Sequence, residues 1–220
     1  MTVTFDVSTG SAALISSATT TTWSHTGSAS AKGAVVVIPQ GTATDQISGV
    51  TYGGRIMNRI RFAARTSAEA CAVYVYFLGN LVGITGTQTV AVTTTAANPC
   101  WPQAATMLAA ESQVAVNQET GADAGVIANP SITLIPDVAG TMWFYVNASG
   151  LNTPVNTPEA GTTSMSARDL GTISGHTGQK AVAAAGSNTT GWTSAIDDVV
   201  QAALAISEYN PASLVVGRYL

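Results

Sequence analysis

Short apolar runs rich in β-branched residues punctuate this chain, each too brief for a helix and most of them closed by glycine or proline. The plainest is Ala34-Val35-Val36-Val37-Ile38, stopped by Pro39. An unbroken run of this kind reads as a strand covered on both faces. Proline ends it because it has no N–H to give to a central ladder. Downstream, Val50-Thr51-Tyr52 faces Ile56-Met57-Asn58-Arg59 across Gly53-Gly54. Paired glycines between such runs predict a two-residue hairpin, since glycine reaches positive φ without steric cost. The stretch from Ala34 to Ile60 thus sets a grammar of buried strand, polar connection and tight turn that recurs to the end of the chain.

The same grammar predicts strands at Val3 to Val7, Ala72 to Leu78, Gly86 to Thr93, Ile132 to Ile135, Gly140 to Val146 and Val199 to Ser207. In the third of these, strict alternation turns Val90 and Val92 to the core and Thr89, Ala91 and Thr93 outward. Ala104 to Glu111 carries helix-favouring alanines, yet its context reads as a strand. Asn147 to Thr163, with its Thr-Pro pairs, reads as a long exposed loop. About ten strands without a βαβ rhythm point to an all-β fold, a single two-sheet antiparallel β-sandwich of jelly-roll type. It is expected over residues 1–210, with an extended C-terminal docking tail over 211–220. A pair of immunoglobulin-like domains would need a boundary, and no linker or shift in composition marks one. No fixed period of a β-solenoid recurs.

Charge narrows the partners. Only 9% of the 220 residues are charged and the net charge is −4. Nucleic acid is therefore not expected, since phosphate binding needs clustered Lys and Arg. The one basic group is Arg55, Arg59, Arg61 and Arg65; on a strand the even spacing of Arg55, Arg59 and Arg61 puts them on one face, solvated or turned to a subunit, with contact to a polyanion as the alternative. So few charges fit a surface that becomes covered in an assembly. The opening MTVTFDVST has neither a positive region nor an apolar core, and no apolar run approaches the roughly 20 residues of a membrane span. Synthesis in a cytoplasm without a membrane partner is the expectation.

Catalytic and metal patterns are weak, and none is expected to operate. His25 and His176 are the only histidines, both in Ser/Gly/Thr contexts that read as surface loops, and no GxSxG elbow accompanies them. Asp197 and Asp198 are adjacent and so point to opposite faces of a strand, which denies them a shared substrate. Asp45 joined to them as calcium ligands lacks the spacing of a known loop. Cys71 heads an apolar strand and Cys100 lies in a proline-flanked loop; whether they pair is open on sequence. No cofactor pattern is present. Asn147 and Asn188 match glycosylation acceptors by chance. Trp23, Tyr52, Trp101 and Trp192 are the candidate platforms for stacking on a sugar, against the alternative that each locks a loop over the sheets. Leu214, Val215, Val216, Tyr219 and Leu220 form an apolar tail expected to dock on its own sheet or on a neighbouring subunit.

Several segments taken together, TTWSHTGSASAKGAVVVI, DQISGVTYGG, VYVYFLGN with GTQTVAVT, ANPSITL and GWTSAIDDVVQAALAISEY, resemble a recurring type of structural protein from tailed bacteriophages and prophage regions. The resemblance runs from Trp23 to Glu208 in conserved order and leaves out the residues past Asn210. It implies a β-sandwich component of a virion. The absence of a coiled-coil or collagen-like shaft favours a capsid decoration or cement protein that clasps major capsid subunits, as a trimer or dimer. A minor tail or fibre-tip protein with lectin-like binding to a host glycan is the alternative.

Overall fold

The computed structural model describes residues 2–11, 19–66, 70–97, 99–150, 157–169, 174–193 and 197–209. The chain is all-β, with antiparallel sheets packed face to face as expected, but there are four sheets where a single two-sheet sandwich was expected, because the plan of the first pair repeats. In the first half the strands are β1 (Thr4–Gly10), β2 (Thr20–Thr26), β3 (Ala31–Gln40), β4 (Ile47–Tyr52), β5 (Arg55–Ile56), β6 (Asn58–Arg65), β7 (Cys71–Leu78), β8 (Thr87–Thr94) and β9 (Gln103–Leu108). They make a five-stranded sheet ordered β1-β9-β3-β7-β6 and a four-stranded sheet ordered β2-β8-β4-β5. That interleaving of early and late strands between two sheets is the jelly roll.

The second half contains β10 (Val114–Ile127), β11 (Ser131–Leu134), β12 (Thr141–Ser149), β13 (Thr157–Pro158), β14 (Thr163–Asp169), β15 (Ser174–Val182), β16 (Asn188–Thr193) and β17 (Asp197–Glu208). Its sheets are ordered β10-β17-β12-β15-β14 and β11-β16-β13. Strand for strand this is the first order again, with β10 in the place of β1, β17 of β9 and β12 of β3. Only β5 lacks a counterpart among the described residues.

The halves meet through their five-stranded sheets. Val35, Val37, Val73, Val75 and Phe77 of the first half share one core with Phe144, Val146, Val200, Leu204 and Ile206 of the second. On the far face of the first large sheet, Val36, Ile38, Tyr74 and Tyr76 pack against Val50, Tyr52, Val90 and Val92 of the small sheet. On the far face of the second, Trp143, Tyr145, Ala203 and Ala205 pack against Ile132, Leu134 and Trp192. The four sheets are therefore stacked, with the two large ones inside. This is why Ala34–Ile38, Ala72–Phe77 and Met142–Val146 are apolar without alternation: both faces of these strands are covered. At about 1.5–3 kcal/mol for each fully buried large apolar side chain, the shared middle layer dominates the stability.

Local devices hold the seam and the turns. Gly53 and Gly54, at φ 55° and 77°, make the expected hairpin, pairing Thr51 with Ile56 and Tyr52 with Arg55. The chain then leaves the small sheet at Met57 and enters the large one as β6. Trp101, buried in the shared core, faces Gly175 of β15. A Cβ on Gly175 would stand 2.3 Å from the indole and 2.7 Å from Pro39, closer than atoms can approach, so only glycine fits there.

Other expectations need adjusting. Asn147 to Ser149 is the buried end of β12 rather than the start of a loop, and β13 and β14 follow it. Because Asn147 is buried, it is no sugar acceptor in the fold. Cys71 and Cys100 are both buried, and no disulfide joins them. They belong to cores on opposite faces of the first large sheet, which keeps the thiols apart. The tail residues Leu214, Val215, Val216, Tyr219 and Leu220 lie outside the described residues.

Two consequences are measurable. Because one core serves both halves, denaturant should unfold the chain in a single transition when followed by fluorescence and by far-UV circular dichroism. Gly175→Ala should lower its stability by about 1–3 kcal/mol, the usual cost of overpacking.

Candidate functional site

The aromatic candidates are mostly core. Tyr52, Trp101 and Trp192 are 1%, 2% and 0% exposed, so none offers a face on which a sugar could stack from solvent. Trp23 is half-buried on β2, packs against the small-sheet core, and donates its indole N–H to Thr9 O at 3.3 Å. These residues follow the loop-locking alternative, or go further into the sheet interior.

Both histidines are buried on strands rather than exposed in loops. Serine and threonine around them gave the look of loops, but threonine is also a strand former. Thr106 Oγ1 donates to Asp6 Oδ2 at 2.8 Å. Its oxygen therefore accepts from His25 Nε2–H at 3.2 Å, which leaves Nδ1 to accept from the Thr9 hydroxyl at 2.5 Å. The ring is neutral and fully satisfied, at an edge of the first jelly roll. Burial pushes the His25 pKa below its ordinary 6.5, with Asp6 opposing. A hydroxyl separates the imidazole from the carboxylate, so this is a strand-to-strand staple and not the direct His–carboxylate pair of a triad.

His176 is held similarly in the second half. Its backbone N–H and its Nδ1–H both donate to Asn147 Oδ1, at 3.0 and 3.1 Å, and its ring lies 5.0 Å from that of Trp192. Tyr145 continues the network by donating to Gln201 Oε1 at 3.0 Å. Burial pushes the Tyr145 hydroxyl far above its ordinary pKa. Cys100 is likewise raised, to about 12, by burial, and carries no nucleophilic thiolate near neutral pH.

The arginines do not share a face. A bulge shifts the β6–β7 register between Arg59 and Arg61, which reverses the parity that even spacing assumed. Arg59 pairs with Asp45 at 2.6 Å on the small-sheet side. Arg61 crosses to the other half, reaching Gly121 O at 2.9 Å and Glu119 at 3.4 Å. Arg65 bridges Asp123 and Asp198, each at 2.6 Å. Arg55 is occupied by the carbonyls of Asn80 and Val82 at 3.3 and 2.6 Å. Asp45 and Asp198 thus serve different guanidiniums, and among the described residues no group of acidic, His or Cys side chains is placed to hold a metal.

Among the described residues, two features remain open to a partner. One is the outermost surface of each small sheet. On β2 and β8 the outward row is Thr20, Thr22, Ser24, Thr26, Thr87 and Thr89, with Thr20–Thr93 and Thr26–Thr87 hydroxyl pairs at 2.9 Å. At the opposite end of the stack Thr133 and Thr189 pair at 3.0 Å on β11 and β16. Arg55 is the one charged residue in the seven strands of these two sheets. No sequence signal beyond the threonine alternation marks these faces.

The other is a cleft of about 430 Å³ where the β3–β4 connection meets β5 and β6. Asp45, Gln46, Ser48, Arg59 and Thr95 supply its polar wall, and Ile47, Ile56 and Met57 its apolar one. The connection is pinned: Gln40 Nε2 donates to Thr42 O and Thr44 O at 3.0 and 2.8 Å. Gln46 N–H donates to the Tyr74 hydroxyl at 3.0 Å, and Thr95 N–H to Gln46 O at 2.8 Å. Compared with protein-family models and with curated proteins, the chain matches none.

Two measurements follow. The native fold holds His25 neutral while the unfolded chain protonates it near 6.5, so stability is complete above that value and falls as pH drops below it. The loss between about pH 7 and pH 5 should shrink in His25→Gln; equal losses would assign the pH dependence elsewhere. Arg65 and Asp198 are 14% and 13% exposed and Arg59 and Asp45 42% and 40%. Arg65→Met should therefore cost about 2–4 kcal/mol and Arg59→Met less than about 1 kcal/mol, read by urea denaturation.

Proposed function

We propose that this protein is a structural component of a phage virion, a capsid decoration or cement protein that stabilises subunit junctions by covering them. The observation that supports this reading is the pair of uncharged hydroxyl faces on the two outer sheets of one stack. Covering a charged side chain costs several kcal/mol unless it is paired. Threonine hydroxyls already bonded to one another lose little when a partner displaces water, and their methyl groups gain. The centres of protein interfaces are depleted in charge for the same reason. The virion itself enters through the motif resemblance, and the adhesive mode through the chemistry of these faces.

A two-ended unit of this kind acts by mass action. Each copy that binds the assembled lattice and not the separated subunits shifts the equilibrium toward the lattice. No bond is made or broken. Particles lacking the protein should rupture at a lower temperature, and adding it back should restore the difference. Thr89→Lys and Thr133→Lys, each placing an unpaired charge on one outer face, should weaken binding to particles at least tenfold while the melting temperature of the free protein stays unchanged. Equal rupture temperatures with and without the protein, or a protein that never associates with particles, would overturn the proposal.

A further inference from the structure

The two halves are related by a rotation as well as by a shared plan. β3 lies against its counterpart β12, and at the margins β6 packs on β10 while β1 packs on β14. Since β10 holds the place of β1 and β14 that of β6, the margins are one contact made twice. The facing strands also run the same way. Thr4 and Ala31 both pair with Leu108, and the neighbouring Val3 N–H donates to Gly140 O at 2.9 Å, which sets the heads of β3 and β12 together. At their far ends Pro39 approaches Gly175, the partner of Ala148. Sheets that face each other with like strand direction and reversed lateral order are exchanged by a half-turn about an axis along the strands. Arginines on the matching strands β6 and β14 make matching crossings: Arg61 donates to Gly121 O at 2.9 Å, and Arg168 to Ser11 O at 3.3 Å.

That half-turn exchanges the two outer sheets, since β11 and β16 hold the places of β2 and β8. Both sheets turn paired hydroxyls outward, Thr20–Thr93 and Thr26–Thr87 on one and Thr133–Thr189 on the other. None of these side chains belongs to a core. Arg55, the one charged residue in these strands, is held by the carbonyls of Asn80 and Val82. A charged group pressed on either face would lose its water without gaining a partner, so each face fits an uncharged patch. Two large sheets lie between the faces, which look away from each other across about 30 Å at roughly 10 Å per layer. No single flat surface meets both. We propose that the chain bridges two copies of one subunit, one on each outer sheet, with its internal axis on the local twofold axis that relates them. This bridge rests on the lattice role proposed above, in which the neighbours are copies of one subunit. The chain then supplies by itself the twofold symmetry that a dimer would otherwise bring.

Full-length chain added to particles that lack it, followed by a binding titration and electron cryomicroscopy, tests the bridge. Density should lie on local twofold axes, and binding should saturate at one chain for each pair of subunits. Thr89→Lys on β8 and Thr133→Lys on β11 should each lower the apparent affinity by about 100-fold or more, because either removes one arm of a two-armed contact. An unchanged melting temperature confirms that both variants are folded. Density on threefold or fivefold axes, saturation at one chain per subunit, or full affinity in either folded variant would overturn the bridge and leave the lattice role standing. A chain that binds no particle would remove the lattice role and the bridge with it.

Discussion

Everything in this fold depends on the contact between two five-stranded sheets, each of which would otherwise expose a broad apolar face to water. Val35, Val37, Val73 and Val75 on one side and Phe144, Val146, Val200 and Leu204 on the other are useful only when both halves are in place. A jelly roll normally has one interior, between its two sheets. Here each half has its own interior and lends the outside of its large sheet to a third. The central strands are consequently dry on both faces, and polarity is displaced to the outer sheets, the strand edges and the seam.

Charge follows the same logic. Arg61 and Arg65 leave β6 to meet Glu119, Asp123 and Asp198 in the second half, so the scarce ionic groups fasten the margin of the apolar contact. Arg59 and Asp45 stand at the cleft. The outward faces of the two small sheets are left mostly to hydroxyl side chains. A chain with few charges has thus set several of them at the seam between its halves and only Arg55 in the strands of its two outer sheets.

Much of this was legible in the residues, for reasons that differ by element. Ala34–Ile38 and Val199–Ser207 announce themselves because a strand buried on both sides needs no polar alternate, and Gly53-Gly54 because only that dipeptide type suits its turn. The duplication was hidden: the halves share strand order but no period, since connections such as residues 79–86 and 183–187 differ in length. His25 and His176 look like loop residues in sequence because their Ser, Thr and Gly neighbours serve turns and strands equally. The shared face of Arg55, Arg59 and Arg61 failed because a bulge is a property of the pairing and leaves no mark in one strand read alone. Trp101 and Trp192 were ambiguous for want of burial, which composition does not carry.

The meeting of Trp101 with Gly175 has a consequence for descent. A tryptophan in the first half and a glycine in the second are fitted like a tenon and its mortise, with Pro39 closing the third side. A side chain at position 175 would need a smaller residue at position 101 or a shift of Pro39. The halves repeat a common plan, yet at this contact the side chain allowed in one depends on the residue held by the other.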